Sequence, residues 1–208
     1  IGSIMRKLNL ITTVISTLLV FSCSKQPEAE SQLAKHTAPQ TKAETFSIAQ
    51  AQDNLNFAKN QYFKMIKHIE DKQHLYYRPA CAKDPSMLCI PRSQEHGGIF
   101  MDQYSRWTNG FFPGLLWKLL ANKQHIVWAT GEEKNMFENA KHFQQALDGD
   151  ATLASIHDLG FMLYDSYGEA LHYEKLDLAT RQKYTQLLDL GRATLATRFS
   201  DEKGLIKS

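Results

Sequence analysis

The stretch His157–Leu171, "HDLGFMLYDSYGEAL", decides how this chain is read. It sets His157 and Asp158 side by side, directly before an apolar run, and reads as a helix over about 158–173 with Asp158 at its start. Asp158 then has two readings. An N-cap carboxylate accepts from free backbone N–H groups and contributes on the order of 1 kcal/mol. A carboxylate held at a cleft can instead move a proton. Gly160, in the first turn, costs about 1 kcal/mol relative to alanine, which implies a close backbone approach at that point. His157 either donates to a ligand and orients a carboxylate, or is a packing or surface residue.

Outward from this stretch, nearly every periodic segment has the helical period. Residues 46–69 place Ile48, Leu55, Ala58, Tyr62, Met65 and Ile69 on one broad face. Residues 110–121, "GFFPGLLWKLLA", are apolar almost all round and should be buried. Thr130 and Glu133 stand at capping-box spacing before a helix carrying Met136, Phe137, Ala140, Phe143 and Leu147. Asp177 reads as the N-cap of a further helix over 178–197. Five helices and no series of strands make the fold class all-α. The exception is the long segment 76–106, which holds the only hairpin material, and long connections of this kind are usually functional or disordered. The final "LIKS" reads as the start of an extended segment with nothing to pair with, as if the sequence were cut off.

The 208 residues are 43% hydrophobic and 22% charged, enough apolar side chains for one real core. Arg6 and Lys7 supply the whole formal net charge of +2, so the chain without them is neutral. Neither nucleic acid nor an anionic surface is therefore expected as a partner. Arg6 and Lys7 precede a short apolar stretch, Leu8 to Phe21, too short to span roughly 30 Å of hydrocarbon. It ends in "LVFSC", which resembles the bacterial lipobox, with Cys23 as the lipidated residue. The expected organisation is a signal segment over 1–22, a polar Ala- and Pro-rich tether over 23–44, and a folded part over 45–208. The chain would then be exported and anchored by lipid alone, at the periplasmic face or the cell surface. Outside the cytoplasm, Cys81 and Cys89 in "ACAKDPSMLCIP" can close a small disulfide, with free thiols or a metal pair as the alternatives. No His or acid cluster accompanies them at zinc spacing.

No Gly-rich phosphate loop, nucleophile elbow or paired-His metal motif is present, so neither a cofactor nor a metal is expected. A second cluster, "RWTNGFFPGLLWKL" (Arg106–Leu119), places Trp107 at a loop-to-helix junction, where a half-exposed aromatic face can stack on a sugar ring. Most of Trp107, Phe111, Phe112 and Trp117 must simply fill a core. Gly110 and Gly114 allow close backbone approach, and Pro113 fits a first helical turn.

The blocks "WTNGFFPGLLWKL" and "HDLGFMLYDSYGEAL", with "PRS" at Pro91–Ser93, resemble glycoside hydrolase family 88, the unsaturated glucuronyl hydrolases. In that family a W-T-x-G-F segment precedes H-D-I/L-G-F, and here Trp107 and His157 stand in that order 50 residues apart. The resemblance covers about 46–208 and only the N-terminal half of a family member. It implies an (α/α)6 barrel, incomplete here, of which a fragment should be inactive alone and poorly soluble. It also implies release of the unsaturated uronic acid that lyases leave at the non-reducing end of glycan fragments, by hydration of the C4=C5 vinyl ether. Asp158 matches the first of two family aspartates, His157 its substrate-contacting neighbour and Trp107 the cleft aromatic. Because helix starts in such a barrel line the cavity, Asp158 is expected both to cap its helix and to present its carboxylate to the cleft. The second aspartate, the family's usual proton donor, has no match within these residues. Where the family often has an acid before the Trp, this chain has Arg106. Asp165 has no catalytic match. The competing expectation is a helical, surface-anchored glycan-binding lipoprotein without catalysis, which has no need of a carboxylate beside the histidine.

Overall fold

The computed structural model describes residues 47–84, 86–103 and 107–206. Cys23, the proposed signal and tether segments, and Arg106 lie outside them. Five main helices form, close to where the periodicity puts them: α1 (Ile48–Glu70), α3 (Phe111–Ala121), α4 (Glu132–Gln145), α5 (Leu159–Leu163) with its continuation, and α6 (Leu178–Ala196). A short α2 (Pro79–Lys83), which the sequence did not announce, precedes the disulfide loop. Among the described residues no helix is long and apolar enough to cross a membrane.

The helix starts show where local chemistry prevails and where it does not. Ser47 opens α1 with a reciprocal capping box: its hydroxyl accepts from the Gln50 N–H at 3.1 Å, and the Gln50 side chain accepts from the Ser47 N–H at 2.8 Å. Asp177 caps α6 by accepting from the Thr180 N–H at 2.8 Å. The capping box expected of Thr130 and Glu133 does not form. Gly131, with φ of 85°, takes the N-cap place and shifts the start by one residue. The Glu132 carboxylate instead accepts from the Ala129 N–H at 2.9 Å, and Glu133 turns away to Tyr173 and Lys175.

The core gathers around α3. Leu116, Trp117 and Leu120 are fully buried, against Met136, Ala140, Leu147, Met162 and Tyr167. Each such side chain contributes about 1.5–3 kcal/mol through burial. The Trp117 indole donates to the Gln144 side-chain oxygen at 3.0 Å, and Phe112 meets Phe143 edge-on at 4.9 Å. Two glycines let α3 lie backbone-to-backbone on the α5 segment. A Cβ at Gly110 would sit 2.2 Å from the Met162 carbonyl oxygen, and one at Gly114 1.7 Å from that of Asp165.

The segment expected to carry a hairpin builds a small sheet. Strands β2 (Ile90–Glu95) and β3 (Gly98–Asp102) pair antiparallel across His96 and Gly97, both at positive φ, a two-residue turn whose twist suits a hairpin. A third strand, β1 (Leu75–Tyr77), pairs parallel on the other side of β3. The Tyr76 ring lies over Gly98, where a Cβ would be 2.1 Å away. The sheet has its own small core of Cys81, Cys89, Ile99 and Met101, and a disulfide joins Cys81 to Cys89. Contrary to expectation, the end of the chain has a partner. Leu205–Ile206 (β5) pairs antiparallel with Phe199–Ser200 (β4), because Gly204 at φ of 64° reverses the chain between them.

Candidate active site

Asp158 stands at the N-cap position of α5, but its side chain makes no capping hydrogen bond. Its backbone, at φ −81° and ψ 14°, is not in the extended region from which a cap side chain reaches the next N–H groups. The expected double role, cap and cleft carboxylate, is thus corrected on its first half. The carboxylate faces His157 instead, with Oδ2 3.2 Å from Nε2, and is 25% exposed while the imidazole is 55% exposed. A carboxylate not tied to its own helix is free to serve another partner.

Gly160 is corrected as well. Among the described residues nothing lies within 4 Å of where its Cβ would be, so none of them explains it by a close approach. The backbone contacts that need glycine are those of Gly110 and Gly114 on the opposite helix. Through them the two sequence blocks meet. Gly110 follows Trp107 by three residues, and Met162, which it touches, lies one helical turn after Asp158. The Met162 N–H donates to the Asp158 carbonyl at 3.3 Å, so the contact bears on the turn that Asp158 begins.

Trp107 is half exposed and held by an edge-on contact with Phe111, ring centroids 5.9 Å apart. Phe112 and Trp117, by contrast, are core. Beside Trp107, Asn109 is buried, and its side-chain nitrogen donates to the Gln103 carbonyl. The Thr108 hydroxyl and the Asn109 side-chain oxygen are buried without a hydrogen-bond partner among the described residues. No local pattern signals these atoms, because polar residues at a helix start normally read as exposed.

Helix α5 passes into a π-helical turn over Tyr164–Gly168. The buried Ser166 hydroxyl donates to the Met162 carbonyl at 2.6 Å. Widened turns of this kind occur often at functional sites, and no periodicity reading detects one. Asp165 lies in this turn with its carbonyl against Gly114. Clefts open on both flanks. An apolar groove of about 450 Å³ begins at Leu159 and Gly160 and runs along α6, and one of about 290 Å³ begins at Thr108 and Phe111. Trp107, His157 and Asp158 line neither of them. Among the described residues no three metal-ligating side chains converge. Cys81 and Cys89 belong to the sheet and take no part here.

No family profile matches the chain. It is 33% identical, over 105 residues, to the unsaturated glucuronyl hydrolase of Formosa agariphila, covering 49% of this chain and 22% of that protein. Its fold is similar to a crystal structure of an unsaturated glucuronyl hydrolase specific for heparin, with a TM-score of 0.51 and 29% identity. That match covers 76% of this chain and 36% of the solved one, so the chain spans well under half of the length of either protein. The fold is accordingly all-α and of the (α/α)6-barrel type, and at modest identity the chain is similar to unsaturated glucuronyl hydrolases.

Proposed function

We propose that the protein is a glycoside hydrolase that releases unsaturated uronic acid from the non-reducing end of lyase-generated oligosaccharides. The observation that carries this is the Asp158 carboxylate, at a helix start, uncapped and, among the described residues, paired only with His157. The identity shared with proteins named unsaturated glucuronyl hydrolases supports it.

The chemistry begins at the C4=C5 vinyl ether. A carboxylic acid protonates C4, the resulting oxocarbenium is captured at C5 by water, and a carboxylate takes the water's proton. The hemiketal so formed opens its ring and expels the remainder of the chain. Asp158 is suited to the carboxyl role, since a carboxylate without a capping bond keeps its lone pairs available to substrate and water. His157 orients that carboxylate from 3.2 Å. Trp107 offers an exposed indole face to the sugar. Export and lipid anchoring at Cys23 belong to the same proposal, and the Cys81–Cys89 disulfide supports an oxidising compartment.

Asp158→Asn in the full natural protein tests the reading. Loss of the ultraviolet absorbance of the double bond should slow by roughly 10²–10⁴-fold. The melting temperature should stay put, because no capping bond is removed. Undiminished turnover would remove Asp158 from the chemistry, and glycan binding without turnover in the wild type would point to a lectin-like protein instead.

A further inference from the structure

We propose that the trough between α1 and the β2–β3 hairpin binds the anionic, reducing-end portion of an oligosaccharide whose unsaturated end is processed at Asp158. This rests on the function proposed above and adds the place where the rest of the substrate lies. Two clefts, of about 290 and about 420 Å³, adjoin one another and share Tyr62, Met65, Gln94 and Ile99 as walls. The smaller opens at Thr108 and Phe111, and Phe111 is the residue that props Trp107. The larger carries the trough onward to His68, Gln73 and His74 at the far end of α1.

The lining determines what fits. Among the described residues no carboxylate lines either cleft. The floor is apolar and aromatic, while the rims carry Gln61, Gln73 and Gln94, whose amides can both donate to and accept from sugar hydroxyls. Lys64 stands on the α1 rim and has no ion pair among the described residues. Arg92 lines the upper cleft and is fixed by its ion pair with buried Asp102 at 2.9 Å. Glu95, the acid next along β2, accepts from the Ser93 hydroxyl and stands outside the lining. A wall with several amides, the unpaired Lys64 ammonium and no acid among the described residues favours uronate and sulfate over neutral or cationic chains.

The trough is also preformed. At its lower end His74 sits at φ of 51° and accepts from the Ile99 N–H at 2.9 Å, tying the end of α1 to the hairpin. Little ordering is then required on binding.

The test uses the full natural protein, wild type and the Lys64→Gln and Gln94→Ala variants. Unsaturated di- and tetrasaccharides from lyase digests of chondroitin sulfate and heparin serve as substrates. Saturated tetrasaccharides of the same glycans serve as calorimetric ligands. The wild type should prefer tetrasaccharide over disaccharide by about threefold or more in KM, and each variant should bring that ratio toward one. The saturated tetrasaccharide should bind roughly three- to tenfold more weakly to the variants, with a shallower salt dependence for Lys64→Gln. Disaccharide turnover with no tetrasaccharide preference, or a preference the variants leave intact, would overturn the trough and leave the catalytic proposal standing. Saturated tetrasaccharide binding that depends on Lys64, without turnover of any unsaturated substrate, would do the reverse. Absence of binding to every tetrasaccharide would also overturn the trough.

Discussion

Gly110 lies so close to Met162 that a Cβ on the glycine would stand 2.2 Å from the methionine's carbonyl oxygen. This contact clamps the Trp107 segment to the Asp158 helix, and Gly114 repeats it one turn on, against Asp165. The displaced atoms are backbone, which cannot swing aside. Gly110→Ala and Gly114→Ala should therefore each destabilise the protein by roughly 1–3 kcal/mol, as overpacking does. Gly160→Ala meets nothing within 4 Å and should leave stability unchanged or raise it by up to about 1 kcal/mol. Chemical denaturation of the three variants checks the contrast, and equal losses at all three would refute it.

A second clamp is ionic. Lys59, buried in α1, donates to the Val127 carbonyl at 2.8 Å and to Glu132 at 2.6 Å, between the rings of Phe63 and Trp128. Lys59→Met removes both bonds, leaving the Val127 carbonyl without that donor and the Glu132 carboxylate with the Ala129 N–H but without its cation. The expected loss is about 2 kcal/mol, read from the shift in urea midpoint.

Acid should weaken the same region. The Lys59 ammonium holds the Glu132 carboxyl below its ordinary range, helped by the Ala129 N–H, and Lys175 and Tyr173 do the same for Glu133. Both folded-state values lie below the unfolded one. Their stabilisation is therefore complete above the unfolded value of about 4.3 and is lost as pH falls through the depressed folded values. Thermal melts between about pH 6 and 3 should show declining stability, less steeply in Lys59→Met. An equal slope in that variant would contradict the assignment.

Reduction should act locally. The Cys81–Cys89 bridge closes a loop over a sequence separation of 8, worth about 2–3 kcal/mol on loop entropy. It belongs to the sheet's own core, apart from the cluster around Trp117. With dithiothreitol, amide exchange should accelerate in β1–β3 and α2 while α3, α4 and α6 keep their protection. Uniform acceleration would show that the sheet and the helices unfold as one unit.

Trp107 separates binding from folding. Half exposed, with one edge contact to Phe111, it adds little to stability, and Trp107→Ala should cost no more than about 1.5 kcal/mol. If its face receives the sugar, KM should rise by roughly tenfold, or about 1.4 kcal/mol. An unchanged KM would remove it from the site.

The five main helices were legible in the sequence because their period arises from neighbours three and four residues apart, contacts each segment carries within itself. The same holds for the Asp177 cap, whose acceptor and donor are three residues apart. The positions of Trp107, His157 and Asp158 within their blocks were also readable, since a motif is local. What each polar group bonds to was not. Asp158 reads as a cap in sequence, yet its backbone angles put the carboxylate beside His157. Gly160 drew notice while Gly110 and Gly114 made the contacts, because only helix packing decides which glycine meets another backbone. The parallel pairing of β1 with β3 and the trough between α1 and the hairpin rest on residues far apart in the chain, and the widened turn at Tyr164–Gly168 leaves no mark on the helical period. Composition and period constrain what each segment can bury, and tertiary packing alone selects its partners, because those contacts form between segments whose separation no local pattern records.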